Sequence, residues 1–288
     1  MEEEKKGTLF AFLAMLLSGA FPVVGKFATN SLPPLFFAAA SLLVGGAASL
    51  LFCRNSKWGE ANPRDAFLLI FFGGILGSAL FYIGISQTSA VNASILVQAE
   101  ILFSLILSYF LLGEKITPKQ FFLSFLVLAG ALLVLFRGSL FLNAGDLLIL
   151  AFTFCMSVEA YLAKKLMEKI GVFETIAIKA VPAGCVLLLF SFLAGETQNT
   201  SVFALPSILL FIWQGLPGFF FAYFFWFGAL KRINLSKATA IMVPYSAIGV
   251  VFSAVFLGEA IVWQHIIGLA IISFSVFMLA RTNSEKRN

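Results

Sequence analysis

The sequence predicts an all-α integral membrane protein of ten transmembrane helices in two inverted five-helix repeats, with both termini cytoplasmic. Three observations carry that reading. The chain is 60% hydrophobic and 11% charged, with 35 phenylalanines in 288 residues, which is not the composition of a soluble globule. Its apolar runs are long enough to cross a bilayer, because about 20 residues at 1.5 Å rise cover the roughly 30 Å hydrocarbon layer. The pattern of the first half also returns in the second, and internal repeats decide the architecture before any motif does.

Ten spans follow in order: 8–29, 34–53, 66–87, 91–112, 117–137, 145–163, 172–194, 207–230, 236–257 and 262–280. The first follows the charged opening MEEEKK; it is longer than a signal-peptide core, lacks a clear cleavage site and reads as a retained span. Pro22, after Ser18 and Gly19, opens its backbone in mid-membrane and can kink the helix or present carbonyls. The third span starts at Asn62-Pro63, a capping residue before proline, and carries Gly73, Gly74 and Gly77 at mid-depth. The fourth carries an acid, Glu100, at its middle, where insertion costs about 2.5–3.5 kcal/mol, so that face turns to protein or to a water-filled cavity. Ala93, Val97, Ser104 and Ser108 share the Glu100 stripe at helical spacing. The fifth span opens with Thr117-Pro118-Lys119-Gln120, a capping box with proline at the first helical position. In the second half the seventh span holds Lys179, the eighth has Gly215, Pro217 and Gly218 where the third has its glycines, and the tenth begins near His265.

The repeat is explicit. Adding 145 lays 236–257 on 91–112, matching Ala93 with Ala238, Ser108 with Ser253, and Leu112-Gly113-Glu114 with Leu257-Gly258-Glu259. Adding 138 matches Gly7 with Gly145, Lys26 with Lys164, and Gly46 with Gly184. The halves are 1–140 and 141–288. Of the 19 Lys and Arg, only Lys26, Arg137 and Lys179 fall outside the segments that are cytoplasmic when the N terminus is. The positive-inside rule then puts both termini in the cytoplasm, and five spans per half is odd, so the second half enters with the opposite sense. Inverted repeats place a binding site near the midplane where the halves meet, the architecture of an alternating-access carrier. Paired Gly/Pro interruptions mark such a site; singly, each glycine equally reads as close helix packing.

Other classes are disfavoured. The net charge of +5 is spread over short loops without a cluster, so it signals topology and not nucleic-acid binding. Cys53, Cys155 and Cys185 are far apart, without metal-ligand spacing, and read as core filler. No Gly-rich phosphate loop, HExxH or His/Cys cluster occurs, which excludes ATP-powered transport within the chain and leaves no cofactor or metal to expect. A single His makes an intramembrane enzyme a poor reading.

A Leu-Gly-Glu after the fourth span of each half (Leu112-Gly113-Glu114, Leu257-Gly258-Glu259), followed by a last apolar span, resembles the drug/metabolite transporter superfamily, EamA type, over Gly7 to Ala280. The resemblance implies a multi-pass protein of the inner (cytoplasmic) membrane that exports amino acids or other metabolites, or carries nucleotide sugars. Members often have an arginine early in the second span of a half; here the first half reads Ala38-Ala39-Ala40-Ser41, and only the second offers a cation, Lys179, aligned with Ser41. The proline often found in the fourth span is kept as Pro244, while the first half has Ala99.

Glu100 is the candidate coupling group, able to take up and release a proton in the cycle; the alternative is a carboxyl that serves packing. Lys179 can receive a substrate carboxylate, pair with Glu159, or snorkel. Glu159 reads as pairing with Lys164 or Lys165 at a helix end, and Lys26 as snorkelling. Ser18, Pro22, Tyr82, Gln98, Trp213, Gln214 and Tyr245 supply hydroxyl, carbonyl, amide and aromatic groups for a small zwitterion, with belt or core as the other reading of each aromatic. His265 reads as an interfacial side chain. The expected function is a secondary transporter moving a small organic metabolite, an amino acid leaving the cell foremost, by alternating access coupled to protons or to exchange. The competing readings are a non-transporting membrane partner or assembly subunit, and a nucleotide-sugar-like exchanger. Partners are the metabolite and the bilayer, with protons and a homodimer as further possibilities.

Overall fold

Apolar residues that cannot dissolve in water and backbone groups that cannot be left bare in lipid admit helices as the solution here. The computed structural model describes residues 2–53, 57–112, 116–135, 143–196, 200–233 and 235–285. Within them the chain forms ten helices: α1 (Glu2–Thr29), α2 (Pro34–Leu50), α3 (Pro63–Gln87), α4 (90–112), α5 (Pro118–Leu135), α6 (Ala144–Met167), α7 (Val172–Leu193), α8 (Leu205–Leu230), α9 (235–257) and α10 (Trp263–Glu285). Seven contain windows long and apolar enough to cross a membrane; α2, α10 and the second segment of α9 carry shorter apolar stretches. The ten predicted spans sit on these ten helices. The boundary at 140/141 and Gly113-Glu114 lie outside the described residues.

The helix starts follow their local chemistry. Asn62 accepts from the amides of Arg64 and Asp65 ahead of α3, and Gln120 accepts from the Thr117 amide in the expected capping box. Gly258 closes α9 with φ of 67°, a left-handed conformation in which a side chain is strained.

Four interruptions define the repeat. In α3 the turns widen to π geometry over Leu69–Leu76, and in α8 over Gln214–Phe221, 145 residues on. A 3-10 turn at Val97–Ala99 splits α4, and α9 breaks at Val243 and Pro244, so that the segments Glu100–Leu112 and Tyr245–Leu257 are again 145 apart. Pro217 and Pro244 account for two of the four by withholding an amide.

Glycine contacts show how the halves meet. A Cβ on Gly7 of α1 would lie 2.8 Å from Arg232 and Ile233, past α8; one on Gly145 of α6 would lie 2.8 Å from the Thr88 amide, past α3. Gly46 of α2 meets Ala180 and Val181 of α7, and Gly184 of α7 meets Leu43 and Ala39 of α2. Each first-half contact is returned by the second half with the roles exchanged, which is the mark of a pseudo-twofold axis. As expected, α4 and α9 lie together near it, with Gly249 against Ser94. Small residues here allow backbones to approach where lipid supplies no hydrophobic drive. Outward faces carry phenylalanines such as Phe110, Phe121 and Phe192, the inverse of a soluble fold.

Candidate functional site

The 3-10 turn in α4 makes Glu100 the first residue of the following helical segment. Its backbone carbonyl accepts from the Ser157 hydroxyl of α6 at 2.9 Å, and Ser104 of the same stripe reaches Ser157 at 3.2 Å. The Glu100 carboxyl is half-buried and takes no hydrogen bond or ion pair from any described residue. It lies within electrostatic reach of Glu159, Tyr223 and Tyr245.

Glu159 of α6 and Lys179 of α7 form a buried ion pair at 2.5 Å. The Tyr223 hydroxyl of α8 lies within electrostatic reach of Glu159, and the Lys179 ammonium sits over the rings of Tyr223 (3.8 Å) and Phe219 (4.4 Å). These contacts replace part of the lost hydration that makes a buried ion pair costly. The glycines of the α3 π segment make the room: a Cβ on Gly73 would be 2.8 Å from Cγ of Glu159, and one on Gly74 would be 2.4 Å from Cβ of Ala183 and 3.0 Å from the Lys179 carbonyl. Of the readings open for Lys179, pairing with Glu159 is the one found. Glu159 does not pair with Lys164 or Lys165 at the helix end; Lys165 instead reaches Asp65 of α3 at 2.8 Å.

A second polar group lies between α1, α3 and α8. Gln214, in the α8 π segment, donates to the Tyr82 hydroxyl at 3.0 Å and to the Phe21 carbonyl at 3.4 Å, one residue before buried Pro22. Ser18 is half-buried one turn earlier. Gln98 donates to Ser246 of α9 and reaches Ser273 of α10 at 3.4 Å, so it ties the break in α4 to the second half. Tyr245 opens the second segment of α9 at the place that Glu100 takes in α4. Trp213 is not brought to this interior: it is 53% exposed, on the outer wall beside Leu17 and Pro217.

The sequence reading missed a polar network at the end of the bundle opposite the N terminus. His265 is 6% exposed, not interfacial; its Nδ1 accepts from the Val262 amide, and Nε2 faces Oδ1 of Asn92 at 3.0 Å. Asn92 donates to Asp146 at 3.1 Å, Thr88 donates to the same carboxylate, and both Glu259 oxygens accept from the amides of Ala90 and Val91, at 2.9 and 2.8 Å. An anion on the first amides of a helix is favourable by hydrogen bonding and dipole alike. Lys26 donates to the Ser86 carbonyl at 3.1 Å. The signal available in sequence was the Leu-Gly-Glu motif, whose glutamate at 259 is the cap. Among the described residues, no group of three or more His, Cys, Asp or Glu side chains converges as a metal site would need.

The EamA-like transporter family model matches the chain twice, over residues 5–136 and 143–281. An uncharacterized transporter of Methanothermobacter thermautotrophicus is 25% identical, over 95% of this chain and 85% of its own. The uncharacterized transporter YetK of Bacillus subtilis is 25% identical over 92% and 84%. A probable amino-acid metabolite efflux pump of Salmonella typhimurium is 23% identical over 95% and 94%. A solved crystal structure, 18% identical, superposes with a TM-score of 0.70 over 96% of this chain and 98% of its own, a likeness of fold. With two family matches spanning its ten helices, this chain is a multi-pass membrane protein of the EamA-like transporter family.

Proposed function

We propose that the protein is a secondary transporter that moves a small organic metabolite, amino acids foremost, out of the cell by alternating access, with Glu100 as the proton-coupling group. One observation carries the reading: a half-buried carboxyl without a hydrogen-bond or ion-pair partner among the described residues, at a helix break that the other half repeats. A half-buried acid that no described group pairs is free to change its protonation state as its surroundings change, which a packing carboxyl is not. Tyr245, Tyr82, Gln98 and Gln214 border the breaks and complete the proposed pathway, with Ser18 and Pro22 on α1; Lys179 and Glu159 form its fixed wall. The name of the Salmonella relative supports the substrate class. In this reading residues 1–140 and 141–288 are the two rocking units, with both termini in the cytoplasm as the Lys and Arg distribution favours.

The test is flux of a labelled amino-acid and metabolite panel in liposomes holding the purified protein, with and without an imposed pH gradient. Accumulation driven by the gradient is the expected result. Exchange that ignores the gradient removes the proton role from Glu100, and no flux of any member from folded protein contradicts the carrier.

A further inference from the structure

The interior charges of this bundle are unequal in availability. Lys179, the side chain suited to a substrate carboxylate, is already committed: Glu159 holds its ammonium at 2.5 Å, the rings of Tyr223 and Phe219 cover it, and Gly74 of α3 lies close to its backbone carbonyl and stem. A carboxylate arriving there has to displace Glu159, leaving that carboxylate buried and unpaired, a loss that exceeds the gain. Glu100 is the opposite case, a half-buried carboxyl that no described residue pairs. With two acids and one amine ionised, the cluster of Glu100, Glu159 and Lys179 carries one surplus negative charge.

Elsewhere at the helix breaks, acceptors are also left over. The buried amide oxygens of Gln98 and Gln214, 4% and 0% exposed, lack a donor among the described residues. For Gln214 the amide orientation follows from its contact with the Phe21 carbonyl, which only the nitrogen can make. Buried acceptors without donors are costly and ask for N–H or O–H groups. Tyr245 places an aromatic ring at the position matching Glu100, and Tyr223 lies within electrostatic reach of that acid, surroundings that suit a cation.

From these contacts we infer that the site recognises an organic ammonium group through Glu100 and has no receptor for a carboxylate, so that its ligands are amines for which a carboxyl group is dispensable. The inference rests on the carrier reading and narrows its substrate class. It sets aside the role of Lys179 as a carboxylate receptor.

Matched probes test it on the full-length purified protein: leucine, isopentylamine and N-acetyl-leucine, with phenylalanine, phenethylamine and N-acetylphenylalanine as a second series. The readout is the concentration that half-maximally raises the thermal midpoint. The amine of a series is expected to act at least as well as the amino acid, and the N-acetyl acid to be weaker by about tenfold or more, as loss of a charged partner implies. In Glu100→Gln the response to the amine is expected to disappear. An N-acetyl acid acting as well as the amine, an amine response unchanged in Glu100→Gln, or no response to any probe overturns the inference. The wild-type series needs no variant to fold. The liposome flux experiment judges the carrier separately, since a labelled compound that crosses while these probes are silent leaves the carrier and removes only the ammonium site.

Discussion

The two halves share a backbone and divide the charge. α3 and α8 widen at the same depth, and α4 and α9 break at the same register. Yet Glu100 in the first half has Tyr245 as its counterpart, while Glu159 and Lys179 in the second correspond to Phe21 and Ser41 in the first. Even contacts are repeated with altered chemistry: Gly73 of α3 faces Glu159, and Gly218 of α8 faces Phe21. A symmetric scaffold carries an asymmetric set of charges. Among the described residues, Glu159 and Lys179 are paired and Glu100 is not.

Substitutions can break that comparison, and the largest effect is expected on the paired side. Lys179→Met strands Glu159 without a cation and should cost about 3–5 kcal/mol, read as a lowered thermal midpoint of the detergent-purified protein. Adding Glu159→Gln should recover much of the loss, because two neutral groups replace one orphaned charge. A double variant no more stable than the single one would mean that the pair is not a unit. The glycine comparison is sharper still in geometry. Gly73→Ala should destabilise by about 1–3 kcal/mol, as its Cβ meets Cγ of the ion-paired Glu159 at 2.8 Å. Gly218→Ala, whose nearest neighbour is at 3.3 Å, should be close to neutral, since a gain of about 1 kcal/mol in helix propensity offsets the tighter contact. Equal losses at the two sites would dissolve the distinction between the halves. A smaller effect is expected at Glu259→Gln, which keeps one acceptor on the α4 amides and gives up the charge, for about 0.5–1 kcal/mol.

Much of the fold was legible in sequence because membrane spans obey short-range rules. Length and hydropathy set the ten helices, Asn62 and Thr117-Gln120 marked helix starts, and the offsets of 145 and 138 exposed the repeat. The glycines of α3 and Pro217 of α8 were visible as interruptions, but their form as π turns depends on what packs against them. The site was less legible. Glu100 stood out because an acid in mid-membrane is expensive wherever it points. For Glu159 the sequence offers both its near neighbours Lys164 and Lys165 and, 20 residues away on the next helix, Lys179, and packing between helices decides for the last. Asn92, Asp146 and His265 draw together from three helices, with separations of 54 and 173 residues, and no local pattern encodes such contacts. Trp213 shows the converse, since an aromatic beside a polar neighbour can face lipid as easily as a cavity.

The central claim is that the unpaired carboxyl of the first half does the coupling, and Glu100→Gln measures it most directly. In liposomes with matched protein content, the variant is expected to retain the wild-type stability within about 0.5 kcal/mol, because it breaks no contact with a described residue. It should lose gradient-driven accumulation of whichever compound the wild type transports. A folded Glu100→Gln protein that still accumulates that compound in proportion to the pH gradient would contradict the account.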